Sequence, residues 1–151
     1  MKDMMTKTEI LNRILEEQQK VINNLQTSID RYKSASSRDN DNSIDPEDYS
    51  HQDEAKDMKI RLEEILKKEQ RDKEIVESCL TIENKMIERG ALAETESFYI
   101  FIGMSVPIFS INGKQVLTIS EMAPIYSSLK DKTKGDKITI GKKTEELIYV
   151  K

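Results

Sequence analysis

Two long apolar stripes with helical spacing, broken by one acidic stretch, restrict this chain more than any other feature. Leu11, Leu15, Ile22, Leu25, Ile29 and Tyr32 recur at steps of three and four, with Gln18 filling the one polar step. Residues 35–50, ending DNDNSIDPEDYS, interrupt the pattern, and Ala55, Met58, Leu62 and Ile65 restart it. Two helices of this kind, joined by a short turn, fold back and zip their stripes together. The acidic stretch then occupies the tip of an antiparallel hairpin, where the fold needs it least.

The helix ends follow from local chemistry. Thr6 or Thr8 can cap the first helix, and Glu9 stands at capping-box spacing from Thr6. The helix runs to about Lys33, so that about 26 residues give a rod of roughly 40 Å. Asp45 as cap, Pro46 at the first helical position and acidic Glu47 and Asp48 in the first turn open the second helix. Carboxylates there also favour the helix dipole, which accounts for Asp45, Glu47 and Asp48 but not for Asp39 and Asp41. The pattern carries the second helix toward Met86, with Arg89-Gly90 as its stop. Its middle, Lys67 to Glu74, has no hydrophobe, and the shorter first helix is expected to have run out beside it. Beyond, Ile75, Val76, Cys79, Leu80, Ile82, Met86 and Ile87 form a second apolar set, suited to seating the base of the hairpin on the C-terminal module.

From Ala91 the period changes to that of strands. Phe98-Tyr99-Ile100-Phe101-Ile102 is strongly strand-forming, and Val106, Ile108 and Ile111 come next. Asn112-Gly113 is a hairpin turn leading to a strand over 115–120. Residues 123–129 read as a short helix, 134–136 as a turn, and 137–140 and 146–150 as strands separated by a turn at 141–144. The fold class is α+β: a helical hairpin over 1–77 and a small antiparallel β domain over 78–151, too small to bury much core alone.

Charge is unevenly placed. Asp39, Asp41, Asp45, Glu47 and Asp48 lie within 39–48 with no basic side chain, while residues 104–151 hold eight lysines against five acids. The net charge of -4 argues against a general attraction to nucleic acid, so no independent DNA binding is expected. The single cysteine, Cys79, excludes an internal disulfide and falls at an apolar helical position, where a buried thiol is expected. The single histidine, His51, leaves no His-His metal pair. No run approaches membrane-spanning length, and a cytoplasmic monomer is expected.

The order of hairpin, acidic tip and small β domain resembles the bacterial Gre family of transcript-cleavage factors, whose C-terminal domain is FKBP-like. The local match is Ile119-Ser120-Glu121-Met122-Ala123-Pro124-Ile125, then Lys130 to Lys134 and Gly135-Asp136-Lys137-Ile138. It is similar to the family's Ile-Ser-x-x-Ser-Pro-Leu stretch leading to Gly-Lys-x-x-Gly-Asp-x-Val, with Ala123 for the second serine and Asp131 for the first glycine. At the tip, Asp41-Asn42-Ser43-Ile44-Asp45-Pro46-Glu47-Asp48-Tyr49 resembles the family's Gly-Asp-Leu-Ser-Glu-Asn-x-x-Tyr. Anchored on Tyr49, Asp45 falls on the family's glutamate, while its aspartate meets Asn42, one place from Asp41.

The resemblance implies a factor that docks on RNA polymerase and reaches through its secondary channel to the 3′ end of the nascent RNA. Asp41 and Asp45 would help hold a Mg²⁺ shared with the polymerase, which does the chemistry; the factor is no enzyme by itself and carries no cofactor alone. Glu47, Asp48, Tyr49, Lys130, Lys132 and Lys134 are the partner-binding candidates. Three alternatives stand beside this reading. One is a channel-binding regulator that stimulates no cleavage, as the displaced aspartate suggests. Another is a coiled-coil interaction or holdase module, with replaceable tip carboxylates and exposed apolar stripe. The third is a prolyl isomerase, which needs an aromatic-lined pocket where core filling better explains these rings.

Overall fold

The computed structural model describes residues 5–36 and 46–151. Helix α1 spans Lys7–Ser36 and α2 spans Pro46–Cys79. Among the described residues, seven strands follow: β1 Leu92–Glu94, β2 Phe98–Ile102, β3 Phe109–Ile111, β4 Lys114–Ile119, β5 Lys137–Ile140, β6 Lys143–Glu146 and β7 Tyr149–Val150, with α3 Tyr126–Leu129 between β4 and β5. The architecture is an N-terminal helical hairpin followed by a mixed β-sheet domain. The chain divides into two compact units: Met1–Glu17 with Asp72–Lys151, and Gln18–Arg71.

In the helical unit, Ile22, Ile29 and Ala55 are buried, and the Gln18 amide donates to the Glu69 carbonyl at 3.2 Å. This bond corrects the expectation that α1 runs out beside the polar stretch 67–74: Glu69 lies within that stretch and faces α1. A second correction concerns the seam of α2. Ile65 is 45% exposed, and Leu66 is the residue turned partly inward. Four steps from Leu62 rather than three keep the 3.6-residue period on one face.

In the sheet unit, five strands lie in the order β3-β4-β2-β1-β7. The expectation of a wholly antiparallel sheet is overturned by β2 and β4, which pair in parallel, Phe98 opposite Gln115 through Ile102 opposite Ile119. After β2 the chain returns through Met104 and Val106, both buried in the core, and the Val106 N–H donates to Thr118 Oγ1 at 2.7 Å. That return, continued by β3, takes the outer flank of β4, so the inner flank is left to β2. Asn112 and Gly113, with φ of 51° and 83°, make the turn between β3 and β4 as their sequence predicts. The predicted strand over 146–150 is instead two strands. β6 pairs with β5 as a separate two-stranded sheet, and β7 pairs with β1. The turn before β6 is correspondingly shorter than predicted, since Ile140 pairs directly with Lys143. The short helix predicted over 123–129 is confined to its second half, Tyr126–Leu129.

Strand alternation divides the core by face. Leu92, Phe101, Val116 and Tyr149 pack with Ile10, Leu11, Ile14, Val76 and Cys79 from the helix segments of the same unit. Ala93, Ile100, Ile102 and Ile119 pack on the other side with Ile87, Leu129, Ile138 and Leu147. The sheet is therefore covered on both faces. The buried Cys79 thiol belongs to this packing.

Helix α2 stops at Cys79, well short of the predicted Met86. Ile82 and Met86 are 48% and 39% exposed, so they extend no buried stripe. Other groups satisfy the carbonyls just past the helix end. Thr8 Oγ1 donates to the Leu80 carbonyl at 3.2 Å, and Lys7 Nζ donates to the Ile82 carbonyl at 2.7 Å and Asn84 Oδ1 at 2.9 Å. A cation at a helix C-terminus also meets the negative end of its dipole. Burial holds the Lys7 ammonium below the usual lysine range, against the opposing pull of Cys79, Glu83 and Glu88. At the start of α1, the Glu9 N–H donates to Thr6 Oγ1 at 3.1 Å, the predicted cap.

Gly90 has a role other than helix stop. Its φ is +90°, and a Cβ there would lie 2.8 Å from Cys79 Sγ. Its N–H donates to the Ile102 carbonyl at 2.8 Å, so the bare backbone passes between strand and thiol.

Candidate functional site

Of the residues singled out in the sequence, Asp41 and Asp45 lie outside the described residues, as do Asp39 and Asn42. Glu47, Asp48 and Tyr49 fall in the first turns of α2, as the Asp45-Pro46 start predicts. Lys130, Lys132 and Lys134 stand together on the segment between α3 and β5. Tip carboxylates and lysines thus belong to different compact units, and each group is described by itself.

The lysine-bearing segment is held tightly by its backbone. Leu129 is fully buried and fixes the end of α3. The Asp131 N–H donates to the Ile87 carbonyl and the Ile87 N–H to the Lys132 carbonyl, each at 2.8 Å. Met86 and Thr133 complete this short antiparallel bridge. The Asp136 carboxylate accepts from the Thr133 N–H at 2.8 Å and from Thr133 Oγ1 at 3.2 Å. These bonds, the backbone one foremost, hold its pKa below the ordinary carboxylate value. Gly135 and Asp136 are tied in turn to Leu147 through two backbone bonds of 2.9 and 2.8 Å. The pinned backbone leaves the Lys130 and Lys134 side chains exposed and that of Lys132 half-buried.

Asp131 has a φ of 67°, in the left-handed region that glycine enters without strain. Aspartate tolerates it better than most residues because its short polar side chain can bond locally.

Just before this segment, residues 120–125 project an apolar side chain that no sequence pattern singles out. Met122 is 91% exposed, and its N–H donates to Ser120 Oγ at 3.1 Å, which fixes the turn. Arg89 Nε lies 3.7 Å from Glu121. Burial raises the Tyr126 phenol pKa, and Glu121, Asp131 and Glu88 raise it further. This part of the sheet unit therefore carries one protruding methionine and three lysines on a pinned backbone.

Two further polar arrangements occur in the sheet unit. The Glu145 carboxylate accepts from Thr95 Oγ1 at 2.7 Å, Ser97 Oγ at 2.6 Å and the Ser97 N–H at 3.1 Å, which together lower its pKa. They tie the β5–β6 hairpin to the β1–β2 turn. Lys114 Nζ lies 2.8 Å from Glu94 Oε2 and 4.9 Å from the centre of the Tyr99 ring. Glu94 stands opposite both Tyr99 and Tyr149, and burial, then Glu94, raises the Tyr149 pKa. Both sets read as fastenings of the sheet, although the buried Tyr149 hydroxyl finds no hydrogen-bond partner among the described residues.

No family model matches this chain, and no curated protein matches it significantly.

Among the described residues, no group of three or more His, Cys, Asp or Glu side chains is placed to hold a metal ion. The predicted Mg²⁺ ligands, Asp41 and Asp45, are not among them. No helix of the described residues is long and apolar enough to cross a membrane.

Proposed function

We propose that this protein binds RNA polymerase, enters its secondary channel with the helical hairpin, and stimulates cleavage of backtracked RNA through carboxylates between α1 and α2. The observation that carries the reading is the connection itself. α1 ends at Ser36 and α2 begins at Pro46, so the carboxylates Asp39, Asp41 and Asp45 all fall between two paired helices. Within the helical unit, the 19 residues of α1 from Gln18 to Ser36 rise about 28 Å, which is a useful reach for a probe.

The φ of 67° at Asp131 supports the resemblance on which this reading rests. The matching family pattern has glycine at that place, and here an aspartate adopts the conformation for which glycine is suited. The fixed lysines and the exposed Met122 are the docking surface in this reading. Lys130, Lys132 and Lys134 face acidic groups of the polymerase, and Met122 fills an apolar pocket.

Carboxylate oxygens are the donors that Mg²⁺ prefers, and one or two suffice when water and phosphate complete its shell. A shared ion would supply Lewis acidity toward a water aimed at the RNA phosphate. The chain's own task is to deliver Asp41 and Asp45 as ionised oxygen donors and hold them in place. Positioning to within about 0.5 Å decides how well such a group works.

A halted, backtracked transcription complex tests the proposal. The protein is expected to co-purify with RNA polymerase and to accelerate cleavage of the RNA 3′ end. Asp41→Asn with Asp45→Asn should abolish the acceleration without weakening binding, whereas Met122→Asp should weaken binding. Absence of polymerase binding would sink the reading. Binding without acceleration would favour the second reading, a channel-entering regulator, for which Asn42 at the place of the family's aspartate already speaks.

A further inference from the structure

We draw no further inference here: the strongest candidate, the open polar groove of about 720 Å³ lined by Ser97, Phe98, Ser110, Asn112, Lys114 and Lys143 beside the β3–β4 turn, carries none, because Glu94, Glu96 and Glu145 offset its two lysines and nothing in the structure shows what covers that part of the sheet face.

Discussion

The helical unit and the sheet unit use their apolar residues differently. Among the described residues of Gln18–Arg71 the buried side chains are Gln18, Ile22, Ile29 and Ala55, while Ile60 and Ile65 remain 56% and 45% exposed. In the sheet unit the strands are covered on both faces, and Phe101, Ile100, Ile102, Leu129 and Leu147 are almost wholly removed from water. Two helices can bury only the stripe between them, whereas a sheet buries two faces at once. The hairpin thus gains extension at the expense of burial.

The largest expected effect tests this difference directly. Phe101→Ala should cost about 4 kcal/mol, by lost transfer and a cavity that the covered sheet cannot close. Ile22→Ala in the hairpin should cost about 2 kcal/mol, the low end for such truncations, because a two-helix seam can collapse around the gap. Denaturant unfolding followed by circular dichroism would measure both, and equal costs would break the contrast.

Gly90→Ala is expected to cost about 3 kcal/mol, combining left-handed strain with overpacking against Cys79. Cys79→Ala should recover the packing part and leave the strain. If the double variant loses as much stability as the two single changes added together, the close approach is not the cause.

Lys7→Met should cost about 2 kcal/mol, since it leaves the Ile82 carbonyl and Asn84 without their donor. The pH dependence separates this role from packing. The folded pKa of Lys7 lies below 10.5, so between the two values the unfolded state binds the extra proton. Its contribution to stability therefore rises with pH across that window and levels off above 10.5. Unfolding midpoints across the alkaline range should show this rise in the parent protein and lose it in Lys7→Met.

The smallest effect is expected at Gln18→Leu. Gln18 is fully buried, bonds Glu69 through its amide nitrogen, and its Oε1 has no donor among the described residues. An apolar side chain of similar volume should change stability by less than about 1 kcal/mol in either direction, because a lost bond is offset by a relieved orphan acceptor. A polar residue at one seam position also fixes register. Cross-linking between engineered cysteines at the α1 and α2 positions flanking the substitution would report any slippage.

Much of the architecture is legible in the sequence. Thr6 as cap, the start at Pro46, the Asn112-Gly113 turn and the change of period near Ala91 are all local choices, made by backbone and nearest neighbours. The end of α2 was not legible, because Lys7 and Thr8, more than seventy residues away, satisfy the carbonyls just beyond it. Nor was the parallel pairing of β2 with β4. It depends on which flank of β4 the return through Met104 and Val106 occupies. Of the candidate site, the grouping of Lys130, Lys132 and Lys134 was readable as sequence neighbours, whereas the exposure of Met122 depends on surrounding elements that no local pattern encodes.

The sequence by itself determined where helices give way to strands, because side-chain period and turn chemistry act over a few residues. It also determined that the carboxylates concentrate between the two stripes. Only the tertiary structure decided which faces are buried, how the strands are ordered and where α2 ends. Those outcomes depend on contacts between residues far apart in the chain, whose balance of burial and hydrogen bonding exists only once the parts have met.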